Sequence, residues 1–196
     1  MLRIPTDSSS VVNIFSIDPG TSHMGVAVIT VDIETCTIVN SNAMTLNGDK
    51  LSRELLWLKD NMGDRFSRIF AIENQLVELL NYYQPLIIAS ESPFINQRFP
   101  AAGIALTEVL CAIRSALFRH DIWKTLKIVS PSEVKNSAGV KGNCDKKTMY
   151  ARLMLLAPEF KYNGNVPINL LDEHSVDALF VGYYEYKQLE KRFRGE

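Results

Sequence analysis

This chain is short of cysteine, of long apolar runs and of net charge, and each shortage removes a class of protein. Its three cysteines, Cys36, Cys111 and Cys144, are odd in number, far apart and without Cys-x-x-Cys spacing. Nothing there points to zinc or redox chemistry, and reduced structural thiols are expected. No apolar run is long enough to span a bilayer, and Met1 to Ser10 hold no apolar core of a signal peptide. A cytoplasmic location with no membrane partner follows as an expectation. The formal net charge is only −1 at pH 7, so no overall cationic field marks the chain as a partner of polyanions. Internal repeats and low-complexity tracts are also missing, which excludes a solenoid.

What is present fits one domain. At 196 residues, 46% apolar and 22% charged, the chain can bury a substantial core but has no room for a second full domain. Residues 1–10 are expected to be a mobile segment and residues 11–196 to form the domain. Net charge also hides distribution. Basic residues from Arg98 to Arg152, among them Arg119, Lys127, Lys135, Lys146 and Lys147, fall where acidic residues are few, so together they make a candidate basic face.

The order of elements reads as α/β. Strands are expected near residues 12–18, 24–31 and 37–45, joined by short turns as antiparallel hairpins. From Leu51 to about Tyr83, apolar residues recur at helical spacing, predicting one helix stopped by Pro85. Residues 86–91 return as a strand, 101–120 as a helix and 126–129 as the last strand. Ser130-Pro131-Ser132-Glu133 is a capping box with proline at the first helical position. Asp145 or Asn143 caps a helix to about Leu156, residues 158–171 read as loop, and a final helix runs to about Lys191. The result is a mixed five-stranded sheet, three antiparallel strands and then alternating helix and strand, flanked by helices.

Carboxylates close two of those strands. The β-branched run Val11-Val12-Asn13-Ile14-Phe15-Ser16-Ile17 delivers Asp18 into Pro19-Gly20-Thr21, a tight turn that fixes a partly dehydrated carboxylate. Leu86-Ile87-Ile88-Ala89-Ser90 ends in Glu91-Ser92-Pro93 in the same way. Near the C-terminus, His174 and Asp177 are three apart and share one helix face. Ordinary capping accounts for Asp172 and Glu173 in the first helical turn. Asp177 is different, because Val176, Ala178, Leu179 and Phe180 surround it. A carboxylate in an apolar stretch needs a partner, and a divalent cation is a good one.

Together these motifs resemble the RuvC family of Holliday-junction resolvases, within the RNase H-like superfamily. The resemblance is carried by Ser16-Ile17-Asp18-Pro19-Gly20-Thr21, Ala89-Ser90-Glu91-Ser92-Pro93-Phe94, Val134-Lys135 with the Lys146-Lys147 helix start, and His174-Ser175-Val176-Asp177-Ala178-Leu179. They occur in the family's order over most of the chain. It implies an RNase H-like fold and a metal-binding set of Asp18, Glu91, His174 and Asp177, with Asp172 or Glu173 as substitutes for His174. It also implies a homodimer that cuts four-way junctions or other branched DNA, on the nucleoid or, for a viral protein, in the host cytoplasm. Lys135 and Lys146 match the family's basic residues near the scissile phosphate, with Lys147 as the adjacent alternative. Phe94 falls where the family carries an aromatic that stacks at the junction centre, although packing against the following helix explains it equally. Asn96-Gln97-Arg98 are placed to touch phosphate or base edges.

Chemistry gives these residues a purpose. Phosphodiester hydrolysis needs an activated water, in-line geometry and charge neutralisation, which two divalent cations roughly 4 Å apart can supply. Hard oxygen ligands suit Mg²⁺, while an imidazole at His174 admits Mn²⁺ as a substitute. His23 and His120 read as turn and surface residues. The apolar face of residues 101–120, with Val109, Ile113 and Leu117, is the candidate dimer interface or part of the core. Three other readings stay open: a noncatalytic binder of branched nucleic acid, an RNA-processing nuclease of the same fold, and an actin- or sugar-kinase-type phosphate-binding protein. The last shares the Asp-x-Gly-Thr turn but needs two related domains.

Overall fold

Alternation along the central strand decides which side chains meet. In the computed structural model, residues 10–93 and 100–195 are described. Phe94 to Arg98 and the segment 1–9 lie outside the described residues. Strands β1 (Val11–Asp18), β2 (His23–Asp32), β3 (Thr37–Asn47), β4 (Ile87–Glu91) and β5 (Leu126–Val129) form one sheet in the order β3-β2-β1-β4-β5. β1 to β3 pair antiparallel, whereas β1, β4 and β5 run parallel. This is the expected mixed sheet, with strand limits within two residues of those read from the sequence.

Because strand side chains alternate faces, β1 sends Ile14, Ser16 and Asp18 to one side and Phe15 and Ile17 to the other. The first face, with Ala27, Ile29 and Ala89, packs on α5 (Pro131–Ser137), α6 (Lys146–Phe160) and α7 (Glu173–Arg194). The second packs on α3 (Asp64–Tyr83) and α4 (Pro100–His120). Val109, Ile113 and Leu117 are buried in that second layer. They are core rather than a dimer surface, because α4 turns its apolar stripe onto α3 and the sheet.

Two helices differ from the expectation. The segment 51–83 is broken into α1 (Gly48–Leu51), a 3₁₀ turn, α2 (Leu56–Met62) and α3. Gly63 at φ 88° makes the last break, and Leu56, Trp57 and Met62 are exposed. Within α2 Leu58 alone is buried, too little core contact to hold one long helix here. Conversely, α6 runs past Leu156 with Pro158 in its last turn. Burying Phe160 completely outweighs the one hydrogen bond that the proline removes.

α7 is the best-buried helix, and small residues bring it close to the sheet. A Cβ on Gly25 would stand 2.0 Å from the His174 carbonyl oxygen. One on Gly182 would meet Ser16 Oγ at 2.7 Å. Ser16 Oγ donates to the Ala178 carbonyl at 2.8 Å, a buried bond that ties α7 to β1. Farther along, Glu185 is buried and accepts from Lys127 of β5. Gly25→Ala therefore forces backbone apart where α7 begins. We expect a loss of about 1–3 kcal/mol, typical of overpacking, read as a fall of several degrees in Tm. A variant melting with the wild type would show that this approach is not required.

Candidate active site

Parallel register brings the first two carboxylates together. Ser16 pairs with Ala89 and Ile17 with Ser90, so Asp18 and Glu91 are the next residues along adjacent strands and point to the α7 face. α7 begins over that strand end and supplies His174 and Asp177 one turn apart. The structure thus gathers Asp18, Glu91, His174 and Asp177 at the C-terminal end of β1 and β4.

The start of α7 is held firmly. Asp172 is its N-cap, accepting from Ser175 N at 2.8 Å and from Thr45 Oγ1 at 2.6 Å. These bonds keep the Asp172 carboxyl below its usual range against the desolvation that raises it. Asp172 is thereby engaged as a cap. His174 Nδ1 lies 2.8 Å from Asp18 Oδ2, and this hydrogen bond raises the imidazole's pKa despite partial burial. The His23 ring lies parallel to that of His174, 5.8 Å away, and its Nε2 is 3.1 Å from Asn47 Nδ2. His23 is therefore part of this site and not simply a turn residue. A signal was available, since His23 and Gly25 share strand parity with the α7 face.

Burial and mutual repulsion dominate the electrostatics. Desolvation, then the charges of Asp18 and Asp177, push Glu91 up to about 7, with Lys135 opposing. Desolvation and Asp18 push Asp177 up to about 6, against Lys146 and His174. Among the described residues, no group of three or more His, Cys, Asp or Glu side chains is drawn tightly enough to enclose an ion. The donor set nevertheless fits a hard divalent cation: three carboxylates and one imidazole, with the His174 and Asp18 atoms at about the 3 Å that separates adjacent ligands in Mg²⁺ geometry.

The basic residues divide. Lys135 reaches the Cys144 carbonyl at 2.9 Å and faces Glu91, while Lys146 pairs with Glu173 at the α7 start. Lys147 is exposed beside it. Arg119 is bound to Glu73 and Asn74, Lys127 to buried Glu185, and Arg152 to the Ala138 carbonyl. Those three are structural, so the basic face is narrower than the sequence count implied. Arg98 and Phe94 lie outside the described residues.

No protein-family model matches the chain. It is 25% identical over 161 residues to a crossover junction endodeoxyribonuclease RuvC of Rhizobium johnstonii, covering 79% of this chain and 82% of that protein. Its fold is similar to Thermus thermophilus RuvC, with a TM-score of 0.61 at 18% identity over 92% of this chain and 95% of that one. A second T. thermophilus RuvC structure, in complex with Holliday junction substrate, gives 0.60 at 16% identity over 92% and 95%. The yeast mitochondrial Holliday junction resolvase Ydc2 gives 0.59 at 15% over 93% and 83%. The likeness to the RuvC family read from the motifs is borne out, and with it the RNase H-like fold.

Both raised carboxyls make the metal-free protein pH-dependent. Native Glu91 and Asp177 bind more protons than the unfolded chain between roughly pH 4 and 7, so stability falls as pH rises through that window. Glu91 alone corresponds to at most roughly 3 kcal/mol. In chelator, Tm should be higher at pH 5 than at pH 8, and Glu91→Gln should flatten the difference. A variant retaining the full wild-type slope would remove Glu91 as its source.

Proposed function

We propose that this chain is a structure-specific DNA endonuclease that resolves Holliday junctions by metal-dependent phosphodiester hydrolysis. The observation that carries this reading is the convergence of Asp18, Glu91, His174 and Asp177 at one strand end, with Lys135 and Lys146 at its margin. Bound divalent cations, two Mg²⁺ or substituting Mn²⁺, supply the activated water and neutralise charge on the phosphoryl group.

The protein's own residues prepare that chemistry. Asp18 acts on both Glu91 and Asp177 in the charge pattern and would be the ligand shared between cations, with Glu91 holding one and His174 and Asp177 the other. His174 Nδ1 lies 2.8 Å from Asp18 Oδ2, and with its Nδ1 deprotonated the imidazole would hold a cation there beside Asp18. Lys135 and Lys146 seat the phosphate, and Lys147 lends charge beside them. Phosphate contacts of this kind position substrate without reading sequence.

Two equivalent strands must be cut in a four-way junction, which suits a twofold homodimer. Its candidate contact is the outer side of α3 and α4, where a groove of about 530 Å³ is lined by Phe66, Ile104 and Cys111. Ile104 is 60% exposed there. Among the described residues no helix is long and apolar enough to cross a membrane. We place the protein in the cytoplasm, with DNA.

Asp177→Asn keeps size and hydrogen bonding while removing the charge that holds a cation. Junction cleavage in Mg²⁺ should fall by several orders of magnitude, and junction binding should persist or tighten. Cutting at near the wild-type rate would remove Asp177 from the metal set. Running the same assay on forks, flaps and linear duplex defines the substrate range.

A further inference from the structure

One of the lysines that the proposed function assigns to substrate phosphate is already paired. Lys146 opens α6, and its ammonium pairs with the carboxylate of Glu173, the first residue of α7. The other oxygen of that carboxylate lies 3.8 Å from His174 Nε2. Glu173 therefore spans two cation-capable groups of the site, as an incoming phosphate would. The adjacent Asp172 cannot take this role, since Thr45 and Ser175 fix it as the helix cap. Glu173 has no such restraint, and its side chain is 49% exposed with Lys146 at 73%.

We propose that Glu173 is a built-in competitor for substrate phosphate, a tethered carboxylate that holds Lys146 in the free protein and has to swing out before DNA is seated. The inference rests on the reading that Lys146 contacts phosphate. Carboxylate and phosphate oxygens make the same charge-assisted contact with an ammonium, so one replaces the other directly. Tethering gives Glu173 a high effective concentration, while exposure keeps the pair weak enough to open. Duplex that merely rests on the surface leaves the pair closed. A junction whose remaining contacts hold one phosphate against Lys146 displaces Glu173, so the residue raises the threshold for engaging the site and sharpens the choice of substrate.

The test is a double-mutant cycle on full-length protein in chelator, with a four-way junction as probe and affinity as the readout. Glu173→Gln should tighten binding by about 2- to 5-fold, the range of an exposed ion pair. Lys146→Gln should cost little in the wild-type background and several-fold beside Glu173→Gln. Melting curves check that each variant is folded. If Glu173→Gln tightens binding equally with and without Lys146, the effect is general repulsion of DNA and the competitor role is wrong. No tightening at all overturns it too. Loss of affinity from Lys146→Gln in neither background would instead defeat the underlying assignment of Lys146 to phosphate.

Discussion

The approach of α7 to the sheet at Gly25 is the constraint on which the site depends. A side chain at that position would collide with the His174 carbonyl, so only glycine lets the helix start directly over β2. From that start, one turn of helix sets the spacing between His174 and Asp177. The parallel register of β1 and β4 sets the spacing between Asp18 and Glu91. Ser16 and Gly182 repeat the close approach farther along, so α7 cannot tilt away at one end without disturbing the other.

Closeness has an electrostatic cost that the protein's own cations offset only in part. Three carboxylates converge where burial already disfavours charge, and the nearby cations are set at the margin rather than between them. On the proposed reading, that centre would take an external cation. His174 moderates the imbalance, since its Nδ1 lies 2.8 Å from Asp18 Oδ2. Glu173, by contrast, pairs with Lys146 and leaves less of that charge for the buried carboxylates.

Much of this was legible in the chain. Strand ends marked by Asp18 and Glu91 could be read because turn chemistry follows each of them, and Asp177 stood out as a charge in an apolar helix. The capping box at Ser130 and Glu133 is formed as its spacing indicated. What could not be read depended on contacts between distant segments. The break of residues 51–83 follows from where the core ends, and helical spacing alone does not reveal that. His23 looked like a turn residue because its partner is 151 positions away in the fold's other half, reached only through strand parity. Arg119, Lys127 and Arg152 looked like a binding face until their internal acceptors were seen.

The pair of Lys127 and buried Glu185 ties the middle of α7 to β5, just as the Asp172 cap ties its start to β3. With both sheet edges engaged, α7 has no route to partial detachment that leaves the strands in place. Its buried amides should then exchange with solvent only when the whole domain opens. The residues of the site are accordingly mounted on the slowest-opening unit of the molecule. Local breathing is left to the mostly exposed 53–62 segment, where Leu56, Trp57 and Met62 face solvent.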